Sequence, residues 1–248
     1  MLVDKPFANH ASVLRMAEAA KAAALLFMDA THFVHHPRTL EIKKATAEKI
    51  GTPRSLHTAF YFPFSDRTNI RFDPKQEPMT ALGDMAWYSM RAVVEYLRPA
   101  GKIIKVAAVP ERDTVTNAII RVAGMIAFED GKISTFDVGY TAGTIVMDLE
   151  LFGTTGVISM DDFVLDWTES FAFKNPDIQT GYTHRTGMAT RKDAVFIPTQ
   201  NQAPQQRGMV EHFALEAMNG TPKYRAAYAA AALQTQEYVD ALWAAATS

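Results

Sequence analysis

"TNAIIRVAGMIAFEDGKISTFDVGY", residues 116–140, decides how this chain is read. Two runs alternate apolar and polar residues at a period of two, and Glu129-Asp130-Gly131-Lys132 stands between them. That alternation marks strands with one buried face, and an Asp-Gly pair between two such runs predicts a hairpin. Runs of the same kind lie on both sides: "RSLHTAFYFPF" (54–64), "KIIKVAAVP" (102–110), "TIVMDLELFG" (144–153) and "GVISMDDFVLDW" (156–167). One helical stretch, "TALGDMAWYSMRAVVEYL" (80–97), interrupts them. Strands that follow one another without helices between them imply an antiparallel meander.

Toward the N-terminus the style changes. Leu2-Val3 leads into Asp4-Lys5-Pro6, the reading of a strand end delivering a lysine to a loop. A helix follows, with Asn9 or Ser12 as its cap and Val13, Met16, Ala17, Ala20 and Ala24 on one stripe. "LLFMDATHFV" (25–34) reads as a buried strand that ends in Asp29, Thr31 and His32. Strand, helix and strand at this spacing predict a parallel βαβ unit. "PRTLEIKKATAEKI" (37–50) is a second helix, with Pro37 in its first turn and Gly51 just past its end. Toward the C-terminus, residues 168–206 are polar and read as loop and edge strand, and two helices at about 207–219 and 222–246 close the chain.

Composition excludes more than it assigns. Of 248 residues 48% are hydrophobic, enough for a large core, and the net charge of -2 predicts no nucleic-acid or membrane-surface partner. There is no cysteine, which removes disulfides and thiolate metal sites and fits a cytoplasmic setting. No apolar run approaches the roughly 18 residues of a membrane span. None of the 13 glycines forms G-x-G-x-x-G, so neither a dinucleotide turn nor a P-loop is written here. G-x-S-x-G is absent too.

A few residues could carry chemistry. Asp84 and Tyr88 stand four apart on one helix face, with Trp87 beside them. Together a carboxylate and a phenol could orient a hydroxyl and relay its proton. Read alone, the pair is more simply a helix acid and a core tyrosine, and Lys5 more simply a solvated lysine. His32, His35 and His36 have no carboxylate at ligand spacing on their element, so no metal site is expected.

The order of motifs resembles one family. "VDKPFANHASVLRMAEAAKAAALLFMDATHFVHHP" (3–37) is similar to the segment around the Glu-Lys-Pro motif of the glucose–fructose oxidoreductase / inositol dehydrogenase (Gfo/Idh/MocA) family. "PMTALGDMAWY" (78–88) resembles its Asp-containing helix motif. "EDGKISTF" (129–136), "LELFGTTGVISMDDF" (149–163) and "ALQTQEYVDALWAAA" (232–246) resemble its hairpin, strand pair and closing helix. Tyr88 at the end of the Asp motif places the resemblance nearest the dihydrodiol dehydrogenase-like branch. Asp4 stands for Glu, Met79-Thr80 for two glycines, Ala86 for Gly, and Val34 for an Arg or Asn.

The resemblance implies an α+β fold: an open, mainly antiparallel sheet with helices on one face, preceded by an incomplete Rossmann βαβ remnant. Residues 1–36 would be the remnant and 37–248 the substrate-binding and dimerisation domain. The part of a Rossmann domain not represented would be about 90 residues. It also implies an NAD(P)-dependent oxidoreductase acting on a sugar- or diol-like hydroxyl or carbonyl, and a homo-dimer or higher oligomer formed through the sheet. The catalytic residues would be Lys5, Asp84 and Tyr88. His32 and Trp87 would face substrate, and Lys5 and Pro6 the nicotinamide of NAD or NADP. Lys5 is expected to lower the Tyr88 pKa, in a cleft open on one side with Lys5 loosely held. The alternative is a non-catalytic dimerisation or ligand-binding module derived from such an enzyme.

Overall fold

The computed structural model describes residues 1–200 and 203–248. Eight strands form one sheet: β3 (Pro53–Tyr61), β4 (Ile103–Arg112), β5 (Ile119–Phe128), β6 (Ile133–Gly139), β7 (Val146–Gly153), β8 (Val157–Met160), β9 (Gly181–Arg185) and β10 (Val195–Pro198). Their order is β10-β9-β8-β7-β3-β6-β5-β4. Every pair is antiparallel except β3 with β6, where Thr58 lies opposite Phe136. The expected meander is therefore interrupted, because β3 inserts between β6 and β7 and pairs with both. Local alternation sets strand identity and facing, whereas this pairing joins residues 78 positions apart, which no local pattern encodes.

The hairpin forms at Glu129–Lys132, with Gly131 at a φ of 79°, a left-handed value that glycine adopts without steric cost. One sheet face buries Leu56, Phe60, Val122, Ile126, Phe136, Val138, Leu149 and Leu151. Covering it are α3 (Trp87–Ala92), extended at both ends by π-type turns at Leu82–Ala86 and Val93–Leu97, and α5 (Pro222–Thr247). Among the described residues no helix covers the other face. It mixes Val109, Met125 and Ile133 with Arg121, Asp137, His57, Asp148 and Glu150.

The N-terminal segment joins the same core through Phe7, Val13, Ala17, Ala20, Phe27 and Phe33. β1 (Leu2–Val3) and β2 (Met28–Asp29) are parallel, linked by α1 (His10–Ala22). Asn9 caps α1, accepting from Ser12 N at 3.0 Å, and Ala24 lies beyond the helix and exposed. The expected strand over 25–34 shrinks to two residues and turns into a short 3-10 segment at His32–His35. α2 (Pro37–Ala45) continues as a π-type turn to Ile50 and stops at Gly51. α4 (Gln205–Asn219) and α5 follow the expected bounds, and α5 lies along α1, where Asp240 Oδ2 accepts from His10 N at 2.7 Å. The part of the loop reading on residues 201–202 lies outside the described residues. Among the described residues no helix is long and apolar enough to cross a membrane.

Candidate active site

Lys5 leaves β1 directly beneath the start of the helix that covers the sheet. Its ammonium donates to Asp84 Oδ1 and to the Asp84 carbonyl, both at 2.6 Å, and lies 4.6 Å from the centre of the Tyr88 ring. Its side chain is only 8% exposed, so the expectation of a loosely held lysine is corrected: the two short bonds fix it. Burial alone would lower the Lys5 pKa, but the charge of Asp84, with Tyr88 and Asp4 behind it, raises it on balance.

Asp84 sits in the π-type turn and receives three donors besides its own backbone contacts. Arg71 Nε reaches Oδ2 at 2.6 Å, and Tyr140 O–H reaches the same oxygen at 3.3 Å, opposite Lys5 on Oδ1. Burial pushes this carboxyl up, but Lys5 and Arg71 outweigh it and hold the pKa at about 2. Asp84 is an anchored anion that keeps Lys5 charged and in place.

Tyr88 is one turn further on, buried except for 8% of its surface. Lys5 draws its pKa down, yet burial is the larger influence and the Asp84 and Asp4 charges add to it, so the net direction is up. The expectation of a lowered Tyr88 pKa is thus reversed, because burial disfavours the phenolate and the carboxylate that holds Lys5 opposes it as well. His32 Nε2 lies 3.1 Å from Tyr88 Oη, and His32 Nδ1 faces the Gln205 side chain. Both ring nitrogens are engaged, so His32 stands behind Tyr88 and presents no free nitrogen to a substrate. Its pKa falls to about 3, through burial first and the nearby Lys5 charge second, and the ring is neutral.

Trp87 does not reach this cluster. It is fully buried, its indole N–H donates to Thr31 Oγ1 at 2.7 Å, and its ring packs on Phe7. Pro6 follows Lys5 through a cis peptide bond and packs under Gly83, where an added Cβ would come within 3.2 Å of the proline ring. The three early histidines diverge: His32 to Tyr88, His35 to His212 at 2.9 Å, and His36 to the buried Asp166 at 3.0 Å.

Sequence reasoning missed Arg71, Tyr140, Gln205 and Phe171. The first three touch Asp84 or His32, and Phe171, 74% exposed, lies edge-on to His32 at 6.5 Å between ring centres. Arg71, Gln205 and Phe171 sit in or beside irregular segments and Tyr140 just past a strand end, so no periodicity flags them. Thr80, one of the two residues standing where glycines were expected, has φ 42°, and its Oγ1 accepts from the buried Ile119 N at 2.9 Å.

Comparison with known proteins accords with this architecture. Residues 40–159 match the family model described as the GFO/IDH/MocA C-terminal domain. The fold is similar to that of KijD10, a 3-ketoreductase from Actinomadura kijaniata solved with NADP and TDP-benzene (TM-score 0.81, 20% identity, 98% of this chain and 70% of that one). It is similar also to an aldose-aldose oxidoreductase from Caulobacter crescentus solved with glycerol (0.78, 17%, 99% and 69%). A third similar structure is an NAD binding oxidoreductase from Klebsiella pneumoniae (0.74, 19%, 100% and 71%). Over residues 40–159 the sequence matches the GFO/IDH/MocA C-terminal domain, and across nearly the whole chain the fold is that of these oxidoreductases.

Proposed function

We propose that the chain is the substrate-side part of an NAD(P)-dependent oxidoreductase that acts on a hydroxyl or carbonyl carbon of a sugar- or diol-like molecule. The observation that carries this reading is the meeting of Lys5, Asp84 and Tyr88, residues from two distant segments, at one buried point. Tyr88 exchanges a proton with the substrate oxygen. Lys5 polarises that oxygen, and Asp84 holds Lys5. In this reading residues 1–36 form the cofactor-side segment and 37–248 the substrate-side domain, in a cytoplasmic homo-oligomer paired through the helix-free sheet face.

The fit to a dinucleotide is partial. Lys5 and Pro6, with Gly83 packed beneath the proline, suit the nicotinamide end, where the bound group would supply or take up the hydride. The phosphates need backbone N–H groups at a glycine-rich turn, and this sequence contains no such motif. The second reading is a non-catalytic dimerisation or ligand-binding module derived from such an enzyme.

The test is an assay of the natural gene product with NADH and NADPH against aldoses, ketoses and vicinal diols. Turnover that falls about 10²–10⁴-fold in Tyr88→Phe and in Lys5→Met supports the oxidoreductase reading. Absence of both turnover and dinucleotide binding, with a stable dimer, supports the module.

A further inference from the structure

Gln205 is the first residue of α4, and two backbone groups fix which end of its amide is nitrogen. The Val164 carbonyl can only accept, and it lies 2.5 Å from Gln205 Nε2. The Asp166 N–H can only donate, and it lies 3.3 Å from Gln205 Oε1. His32 Nδ1 lies 2.5 Å from the same Nε2, placed to accept its second hydrogen. A ring nitrogen that accepts a hydrogen bond carries no proton, so neutral His32 holds its proton on Nε2. That N–H then donates to Tyr88 Oη, 3.1 Å away. Tyr88 is the acceptor in this bond, and its own hydrogen is left for another acceptor.

We infer that Gln205 is a positioning residue: by fixing the His32 tautomer it turns the Tyr88 hydroxyl hydrogen toward the substrate oxygen and away from the protein. This rests on the acid–base role proposed for Tyr88. In the reducing direction the Tyr88 O–H bond breaks and a new O–H bond forms on the carbonyl oxygen, whose carbon would take the hydride that a bound reduced nicotinamide supplies. The phenolate left behind accepts from His32 Nε2–H beside the Lys5 ammonium, and water returns the proton. The charged and titratable groups that face the pair are Lys5, Asp84 and Asp4 around Tyr88, and Lys5 and His35 around His32. In the other tautomer His32 Nε2 would accept the Tyr88 hydrogen and sequester it.

Nitrogen NMR of the histidine-labelled 248-residue chain, with His32 assigned through His32→Asn, reads the tautomer directly and needs no activity. The expected result is an Nε2–H tautomer in the wild type. Gln205→Met should give a mixture of tautomers, and Gln205→Glu, which offers an acceptor in place of the donor, should move the proton to Nδ1. In a turnover-competent form, Gln205→Met should lower kcat about tenfold with KM little changed, the pattern of a group that acts only at the transition state. An Nδ1–H tautomer in the wild type overturns the inference even if no variant folds. An unchanged tautomer in a folded Gln205→Met also overturns it. Full activity in Tyr88→Phe overturns instead the acid–base role beneath it, and the tautomer result then describes packing alone.

Discussion

Arg91 Nη1 lies 2.7 Å from Asp29 Oδ1, and their side chains are 2% and 0% exposed. This buried pair ties the end of β2 to the last turn of α3. Arg91 also donates to Glu95, which Lys43 of α2 reaches from the other side. Removing one member of such a network strands a buried charge. Arg91→Met should therefore cost about 3–5 kcal/mol, read as a lower midpoint in urea unfolding at constant slope. A loss under about 1 kcal/mol, the size typical of an exposed pair, would contradict the burial described.

Asp84 gives stability a pH dependence of predictable sign. Its folded pKa, about 2, lies below the ordinary 3.8, so its contribution is complete above pH 3.8 and fades as pH falls toward 2. The amount is roughly 2 kcal/mol. Unfolding of the wild type and of Asp84→Asn across that window should show the wild type losing its advantage on acidification.

Thr80 combines a left-handed backbone with a buried hydrogen bond to Ile119 N. Thr80→Val keeps the shape and removes the acceptor. It should destabilise by about 1–3 kcal/mol, the cost of an unsatisfied buried donor. An unchanged midpoint in thermal unfolding would show that the bond contributes nothing.

The 248-residue chain on its own should hold NAD(H) and NADP(H) weakly or not at all, since no glycine-rich turn is available to the phosphates. Calorimetry or nicotinamide fluorescence giving dissociation constants in the micromolar range would require a different phosphate site.

Self-association should run through the helix-free sheet face, where Val109 is 74% exposed and pairs with Ala123 of β5. Light scattering should give more than the monomer mass, and Val109→Glu with Met125→Glu should reduce it. A wild-type monomer at high concentration would remove the sheet face as an interface.

The sequence made legible whatever depends on short-range pattern. Residues 116–140 announced their hairpin because alternation and the Asp-Gly turn are local properties, and Asp84 and Tyr88 announced a shared face because helix spacing is local. The resemblance added Lys5, which no spacing links to residue 84. The insertion of β3 beside β6 stayed hidden because strand pairing is chosen by the whole sheet. Arg71 and Tyr140 stayed hidden because a loop arginine and a tyrosine past a strand end become partners of Asp84 only once the sheet brings them there. His32 was picked out for the right neighbourhood but not for its orientation, which Gln205 sets from 173 residues away.

The bond from His10 to Asp240 spans 230 positions. During synthesis, α1 leaves the ribosome long before the helix that receives it. Until then the Val13, Ala17 and Ala20 face of α1 has no α5 beside it, and the first turn of α1 lacks its acidic partner. The nascent chain therefore carries an unfinished apolar helix throughout the synthesis of the residues between α1 and α5. A chaperone that holds such surfaces would bind α1 as it emerges and release it only after α5 is made.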